Sequence, residues 1–343
     1  MKKGITIIIP VYNGAGHIRR CIRSILSQEY ADCQIIIVDD GSVDDTFLIC
    51  QEMVKKNPCF TIIRQENQGV SAARNMGIQA ADREWTYFLD ADDELDENAL
   101  KIMKDAADNS CQWVVMNYRK QVEGAKEITT EAIWVTEKTY FYGKKGFAEL
   151  LNSGLFMYSC GKLYRTEIIQ AKQVQFPLKV VYGEDIRFNL RYFCCVDKYI
   201  VQPSSAFIYH IRQGEGAGSS YYEDSFEMQM EIDREILDMV RNSYGLGEET
   251  LRKINPYFYK QGINTAAAYL TIWKDLPFSL RYREIRKIMK DSRFRSFLKY
   301  EWDCRRINKV DHFLLDQGYF LSYYFIHYVY TGLKRFMKRK KGL

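Results

Sequence analysis

Three aspartates, Asp90, Asp92 and Asp93, follow the apolar run WTYFL at residues 85–89. An apolar run of this kind predicts a buried strand, so the carboxylates crowd together where the strand ends. Crowded carboxylates repel one another, and a hard divalent cation removes that repulsion because it prefers oxygen ligands. Asp90 and Asp92, one residue apart, are therefore candidate ligands of Mn²⁺ or Mg²⁺ and of phosphate groups bound with the ion.

Helix capping is the simpler interpretation of the same residues. Asp92, Asp93 and Asp96 precede ENALKIM, and an aspartate at a helix start accepts backbone N–H bonds and complements the helix dipole. For Asp93 and Asp96 the two interpretations stay open at this point.

The elements that position these acids alternate along the first hundred residues. Apolar runs predict strands at 5–10, 34–42, 60–65 and 84–90, and helical spacing predicts helices at 15–28, 44–56, 71–81 and 97–107. This alternation predicts an α/β fold with a mainly parallel sheet covered on both faces. Ligands of such sheets bind beyond the carboxyl ends of the strands. Three strands end there with distinctive residues: Pro10, Tyr12 and Asn13; Asp39 and Asp40; Asp90 and Asp92.

The rest of the chain divides into a mixed part and a helical part. Strands are predicted at 113–122, 132–137 and, as two short pieces, within 199–213, with a helix at 183–195. A glycine-rich loop at 214–220 precedes segments with helical spacing at 223–243, 248–275, 280–300 and 311–337. We therefore expect one domain over residues 1–215 and a helical C-terminal domain over 216–343.

Composition excludes some classes of protein. The 343 residues are 47% hydrophobic and 27% charged, as in ordinary globular proteins. The net charge of +5 comes from the six basic residues of 334–341, so we expect no nucleic-acid partner. Nine scattered cysteines without a CxxC indicate a reducing compartment, and Pro10 interrupts the first apolar run too early for a signal peptide. We expect a cytoplasmic protein.

A dinucleotide-binding sheet fits the first loop poorly. Gly14 and Gly16 begin a G-x-G pattern, but Arg19 stands where the third glycine of G-x-G-x-x-G belongs. A nucleotidyltransferase would carry a loop rich in glycine and basic residues after the first strand, where this chain has PVYN. That enzyme class remains an alternative, as does a catalytically inactive partner that only binds a sugar nucleotide.

Four linked motifs resemble family 2 glycosyltransferases with the GT-A fold. They are IIIPVYNGAGHIRRCIRSILSQ, IIIVDDGSVDDT, ENQGVSAARNMGI and YFLDADDELDENAL, and the later GEDIRFNLRYF resembles the family's ED motif. The resemblance covers about residues 4–215. It implies an inverting transfer of one sugar from a nucleotide sugar, usually a UDP-sugar, to a hydroxyl of a saccharide or lipid-linked saccharide. The biological context it implies is bacterial surface-polysaccharide synthesis, such as capsule or lipopolysaccharide.

The resemblance also implies roles for individual residues. Asp92 is the more direct metal ligand, and Asp90 lies near the ribose and the metal. Asp185 is the catalytic base, with Glu184 as its orienting neighbour or substitute. The residues expected to contact the donor nucleotide are Pro10, Tyr12, Asn13, Asp40, Gln68, Arg74, Asp90 and Ala91. For Asp185 the reading from the residues alone is an N-cap of the following helix.

Three features bear on the acceptor. Where many relatives carry Trp-Asn-Lys-Leu-Tyr, this chain has Cys160 and Gly161 before Lys162. The Gln-x-x-Arg-Trp signature of processive synthases is absent, which favours the addition of one sugar. The aromatic stretch 320–333 and the basic residues of 334–341 suit either contact with a membrane surface or a helix packed on the protein with a solvated tail.

Overall fold

The structure is a computed structural model that describes residues 1–28, 32–55, 57–108, 110–124, 127–130, 133–212 and 221–327. The chain forms two compact units, residues 1–213 with 239–245 and residues 214–238 with 246–343. The predicted boundary between residues 215 and 216 lies outside the described residues, and the domain limits stay a prediction.

A ten-stranded sheet forms the centre of the first unit within the described ranges. Its strands are β1 (Lys2–Val11), β2 (Cys33–Asp39), β3 (Phe60–Arg64), β4 (Arg83–Phe88), β5 (Glu94–Leu95), β6 (Trp113–Val122), β7 (Ile128–Thr130), β8 (Thr139–Tyr142), β9 (Lys162–Arg165) and β10 (Lys198–Ile211). Its helices are α1 (Ile18–Leu26), α2 (Thr46–Val54), α3 (Val70–Ala80), α4 (Ala99–Ala106), α5 (Phe147–Asn152), α6 (Thr166–Ala171) and α7 (Glu184–Cys194).

The order of the strands brings many carboxyl ends to one edge. The order is β3-β2-β1-β4-β9-β6-β10-β5, and the first four strands are parallel. β9 is antiparallel to both β4 and β6, so β6 runs in the direction of β4 again, and β10 is parallel to β6. β1, β2, β4, β6 and β10 therefore end at the same edge, here called the carboxyl edge. The predicted α/β class with a mainly parallel sheet is confirmed.

Burial explains why these segments form strands and helices. Seven consecutive residues of β1, from Ile5 to Val11, are buried, as expected for a strand covered on both faces. In α1 the residues at helical spacing, Ile18, Ile22 and Ile25, are buried in the same core cluster as the residues of β1. The apolar strand runs and the helically spaced apolar residues of the sequence thus both contribute to the main core of the first unit.

Two details of the first unit differ from the predictions. The strand predicted at 132–137 is wrong, because β7 and β8 flank that segment and its described residues are irregular. The two short strands predicted within 199–213 are one strand, β10, whose pairing with β6 shifts register between Gln202 and Ser205. Pro203 lies in that interval and has no N–H to donate to the ladder.

The second unit is helical in its described part, as predicted. It contains α8 (Ser225–Asp238), α9 (Glu248–Thr271), α10 (Phe278–Lys290), α11 (Ser292–Asp303) and α12 (Lys309–Asp316). The single helix predicted at 280–300 is wrong: the backbone is extended at Asp291, whose carboxylate accepts the N–H groups of Arg293 and Phe294 and so begins α11. α9 and α11 pack closely, because a Cβ on Gly262 would lie 2.3 Å from the Phe294 ring.

The C-terminal segment is only partly described. The helix predicted at 311–337 is interrupted after Asp316, where Gly318 has a left-handed backbone with φ +76°. Residues 320–327 are helical again, and the basic residues of 334–341 lie outside the described residues. In the described ranges we find no helix that combines the length and the apolar character needed to span a bilayer.

Candidate active site

The three aspartates after β4 form one cluster. A carboxylate oxygen from each of Asp90, Asp92 and Asp93 lies within 4.8 Å of the others. Asp93 is buried and accepts the backbone N–H of His210 at 3.0 Å. Burial raises the pKa of Asp93 well above its ordinary value, and the charges of Asp90 and Asp92 raise it further. The cluster therefore holds more negative charge than it can keep without compensation.

Helix capping does not account for these acids. α4 begins at Ala99, its N-cap residue is Asn98, and no side chain caps it. Asp96 instead accepts the Glu97 N–H and pairs with Arg119. The capping interpretation of Asp93 and Asp96 is thus wrong, because their carboxylates are drawn to partners on β6 and β10.

Arg74 joins the end of β4 to the start of α7. One guanidinium nitrogen donates to Asp90 at 2.9 Å, and the other lies 2.9 Å from Asp185 and 3.3 Å from Glu184. The Arg74 side chain is 4% exposed. Burial acts to lower its pKa, but the charges of Asp185, Asp90 and Glu184 raise the pKa well above the ordinary value. Arg74 is therefore always charged and balances part of the negative charge of both groups.

Glu184 and Asp185 occupy the first turn of α7. Gly183 precedes them with φ +80°, a backbone that a glycine adopts without strain. The positive end of the helix dipole favours carboxylates at this place, although neither side chain forms a capping hydrogen bond. Burial raises the pKa of Glu184, the Asp185 charge adds to that rise, and Arg74 opposes it. The N-cap interpretation of Asp185 is wrong, because its carboxylate turns to Arg74.

Asp40 organises the loop between β3 and α3. It is 3% exposed, and it accepts the N–H of Gln68 at 2.9 Å, the N–H of Gly69 at 2.8 Å and the Gln65 amide at 2.7 Å. A carboxylate offers about four acceptor positions, so one remains for a ligand. Because Gly69 is the N-cap residue of α3, this network also sets the start of the helix that carries Arg74.

The other predicted site residues lie on nearby loops. Pro10 is buried within β1, whereas the Tyr12 ring after it is 49% exposed. Asn13 accepts the Val43 N–H at 2.9 Å and so ties the loop after β1 to the loop after β2. Gln68 is exposed, and Ala91 packs partly against the core between the two aspartates. The structure brings Arg74, Asp90, Glu184 and Asp185 into direct contact, whereas Asn13 and Asp40 bind backbone groups of other loops.

Arg212 and His17 belong to the site although the sequence did not predict them there. The Arg212 guanidinium pairs with Asp92, and its other nitrogen lies 2.8 Å from Nε2 of His17. His17 is half-buried and lies just before α1.

Glu94 makes two further contacts that the sequence did not predict. Glu94 lies 2.7 Å from Nε2 of His210 and 3.1 Å from Nε of Arg20. Burial lowers the pKa of His210, with Arg20 acting in the same direction and Glu94 opposing it. Glu94 and Arg20 are 74 residues apart along the chain, and no sequence motif joins them.

The aspartate cluster suits a hard divalent cation. Asp90 and Asp92 are part-exposed, whereas Asp93 is buried behind them, so the oxygens that face outward are those of the first two. In the described residues their cationic partners are arginines, which shows that the carboxylates attract positive charge at this place. The oxygen-only donor set matches what Mn²⁺ or Mg²⁺ prefers.

The chain matches a known family over the segment that carries these residues. Residues 6–171 match the family described as Glycosyl transferase family 2. This segment contains β1 to β4, the aspartate cluster and Arg74. Residues 6–171 are thus similar to glycosyltransferase family 2 over slightly less than half of the chain.

Individual relatives of this chain are named as glycosyltransferases. The chain is 32% identical over 213 residues to EpsH of Bacillus subtilis, which is named as a glycosyltransferase, and the match covers 61% of this chain and 60% of EpsH. It is 30% identical to the glycosyltransferase GlyA of Streptococcus pneumoniae, over 61% of this chain and 31% of GlyA. The chain thus spans about three fifths of the one relative and less than a third of the other.

Solved structures show the fold. The crystal structure of residues 1–349 of TarS from S. aureus, in complex with UDP-GlcNAc, superposes with a TM-score of 0.68 at 18% identity and covers 97% of this chain and 92% of that chain. The complex of the same TarS fragment with UDP gives a TM-score of 0.63. The predicted GT-A fold with a helical C-terminal extension is confirmed.

Proposed function

We propose that this protein is an inverting glycosyltransferase that moves one sugar from a UDP-sugar to a hydroxyl of a saccharide or lipid-linked saccharide. The observation that carries the proposal is the Arg74 contact with Asp90 at 2.9 Å and with Asp185 at 2.9 Å. Sugar transfer of this kind needs one acid beside the leaving diphosphate and another beside the attacking hydroxyl, and Arg74 holds such a pair together.

The donor side of the proposed site consists of residues 10–13, Asp40 and residues 65–69. An exposed ring at Tyr12 supplies a stacking surface for a base, and the free acceptor position of Asp40 suits a uracil N–H. The UDP-GlcNAc and UDP complexes of TarS support UDP as the nucleotide. Pro10, Asn13, Gln68, Arg74 and Ala91 complete the proposed donor contacts.

Asp92 and Asp90 would hold a Mn²⁺ or Mg²⁺ ion at this site. When bound, such an ion neutralises negative charge on a leaving diphosphate. Arg74 would also neutralise negative charge on the diphosphate, because its permanent positive charge lies beside Asp90. Arg212, which pairs with Asp92 in this structure, provides a second permanent cation there.

Asp185 is the proposed base for the acceptor hydroxyl. A carboxylate that removes the proton as the hydroxyl attacks allows a single displacement, and a single displacement inverts the anomeric carbon. Arg74 fixes the position of the Asp185 carboxylate. Glu184, whose pKa is raised by burial, is the proposed orienting neighbour of Asp185 or its substitute.

The relatives support a role in surface-polymer synthesis. TarS of Staphylococcus aureus is named a poly(ribitol-phosphate) β-N-acetylglucosaminyltransferase, and this chain is 26% identical to it over 240 residues. We propose an acceptor of the same general kind, a bacterial surface glycan, and a cytoplasmic location with the C-terminal residues contacting the membrane surface. Liposome binding that persists after deletion of residues 334–343 would contradict the membrane contact.

Donor screening tests the proposal. The full chain is incubated with a panel of UDP-sugars and Mn²⁺ or Mg²⁺, and the release of UDP is measured with and without oligosaccharide acceptors. We expect one UDP-sugar to be turned over in a metal-dependent manner, and Asp92→Asn to weaken metal-assisted UDP binding in calorimetry. Conversion of a UDP-sugar to UTP and a sugar 1-phosphate when pyrophosphate is added, without release of UDP, would indicate a nucleotidyltransferase, and binding without any turnover would indicate an inactive partner.

A further inference from the structure

Three tyrosines meet at the carboxyl edge on the far side of the aspartates from residues 10–13. Tyr118 ends the buried part of β6, Tyr158 lies in the loop before β9, and Tyr209 lies on β10. Their ring centroids are 6.2 Å apart for Tyr118 and Tyr158, and 6.4 Å apart for each of the other two pairs. Three separate segments of the chain thus contribute to one aromatic cluster.

The cluster is a surface and not part of the core. Tyr158 is 46% exposed and Tyr209 is 37% exposed. Their two rings are inclined by only 31° to each other, and Tyr118 stands nearly perpendicular to both. Tyr118 itself is stacked on the buried Phe207 ring at 5.3 Å. Phe207 therefore supports a platform whose two outer rings face in similar directions.

The platform adjoins the acids of the site. Tyr209 precedes His210, whose backbone N–H binds Asp93 at 3.0 Å. Burial raises the pKa of Tyr209, and so do Tyr158 and the charges of Asp93, Asp92 and Asp90, which are close enough to act on its hydroxyl. A molecule resting on the rings thus lies next to the carboxylates.

We propose that Tyr118, Tyr158 and Tyr209 form the acceptor subsite, which binds a pyranose ring of the acceptor saccharide. The C–H face of a pyranose is apolar and packs on an aromatic ring, while its hydroxyls need polar partners at the rim; tyrosine supplies both in one side chain. This proposal rests on the proposed function, because it names the residues that bind the acceptor, whose hydroxyl attacks beside Asp185. These three tyrosines are here called the acceptor side.

The topology supports this division of the edge. Residues 10–13, Asp40 and residues 65–69 follow β1, β2 and β3, which occupy one side of β4 in the sheet. β6 and β10 lie on the other side of β4, beyond β9. A donor bound on the first side leaves the second side as the approach for a molecule that attacks it from the opposite direction.

The test compares three variants of the full chain with the wild type. Tyr158→Ala/Tyr209→Ala removes both exposed rings, and Tyr158→Phe/Tyr209→Phe keeps the rings and removes the hydroxyls. Tyr142→Ala is the matched control, because Tyr142 is a 59% exposed strand tyrosine that pairs with Lys198 at the opposite edge of the sheet. UDP binding with Mn²⁺, measured by calorimetry, reports the donor side and the integrity of the fold in each variant.

The probes are the methyl β-pyranosides of glucose, galactose and N-acetylglucosamine, titrated with UDP and Mn²⁺ present and detected by saturation-transfer NMR. We expect at least one to bind the wild type, about tenfold weaker binding by the double alanine variant, which corresponds to about 1.4 kcal/mol, and binding within about threefold for the double phenylalanine variant. UDP affinity and the Tyr142→Ala variant should be unchanged.

Two outcomes overturn the subsite while the proposed function stands. One is equal pyranoside binding by the wild type and the double alanine variant; the other is a wild type that binds UDP but none of the pyranosides. A wild type that does not bind UDP overturns the proposed function and the subsite with it.

Discussion

The donor side and the acceptor side share one edge of the sheet but are built differently. On the donor side a buried carboxylate, Asp40, holds backbone N–H groups of Gln68 and Gly69, and all its parts come from short loops after consecutive strands. On the acceptor side the rings of residues 118, 158 and 209 meet because β9, β6 and β10, which are far apart along the chain, are neighbours in the sheet.

The difference teaches which chemistry each side has to provide. A nucleotide diphosphate presents fixed polar groups, so a rigid polar loop suits it. An acceptor saccharide presents ring faces and hydroxyls, and an aromatic surface accommodates many of them without a rigid hydrogen-bond pattern. Arg74 stands between the two and contacts Asp90 and Asp185, the acids of the proposed leaving-group and attacking positions.

Replacing the proposed base should give the largest effect. We expect Asp185→Asn to lower kcat by about a thousandfold, within the range that a general base contributes, and to leave UDP affinity nearly unchanged. The measurement is steady-state UDP release together with calorimetry. The exposed Asp197→Asn is the control. A kcat within tenfold of the wild type would show that Asp185 is not the base.

Removing the cation between the two sides should cost stability. Arg74→Met leaves Asp90, Glu184 and Asp185 without their shared partner, and we expect the free energy of unfolding to fall by about 3 kcal/mol, as for a buried ion pair broken on one side. Urea unfolding measures it.

Two further variants sharpen the Arg74 measurement. Arg74→Met/Asp185→Asn should recover part of the loss, since one stranded charge is removed. The surface pair Arg19–Glu52 provides the control, and Arg19→Met should change stability by less than about 0.5 kcal/mol. Equal losses for Arg74→Met and Arg19→Met would contradict the bridging role.

Stability against pH tests a buried lysine that contacts the backbone of the acceptor side. Lys162 is buried on β9 and donates to the carbonyls of Tyr158 and Cys160. Burial lowers the pKa of its ammonium to about 8, with Cys160 and Asp185 opposing. Between pH 8 and the ordinary lysine value near 10.5 the unfolded chain binds the proton and the folded chain does not, so stability rises with pH through this window.

The Lys162→Met variant should lack that rise, which amounts to at most about 3 kcal/mol. Unfolding free energies of the variant and the wild type, measured from pH 7 to pH 10, give the difference directly. The exposed Lys2→Met serves as the control and should follow the wild type. Parallel curves for Lys162→Met and the wild type would show that the buried amine keeps its proton.

The smallest effect is expected from the donor side. Tyr12→Ala removes an exposed ring, and the loss of base stacking should weaken UDP binding by about 1–2 kcal/mol, whereas Tyr12→Phe should bind like the wild type. Calorimetry with UDP and Mn²⁺ measures both. Unchanged affinity in Tyr12→Ala would place the base elsewhere on the carboxyl edge.

Most of the donor side could be predicted from the sequence because its residues are local to strand ends. The apolar runs at 5–10, 34–42 and 84–90 are strands in the structure, and the residues after them lie at the carboxyl edge as expected. The contact of Arg74 with Asp185 could not be predicted from spacing, since 111 residues separate them along the chain. Resemblance to a family suggested both residues but not their contact.

The sequence by itself determined which segments of the first hundred residues are strands and helices, the resemblance to a family, and the chemical character of Asp90, Asp92 and Asp185, because periodicity and side-chain type are properties of short segments. Only the tertiary structure decided that β9 runs between β4 and β6, that Arg212 contacts both Asp92 and His17, and that three distant tyrosines share one surface. These contacts depend on how strands pair over long separations, and pairing energy is set by the whole sheet and not by any one segment.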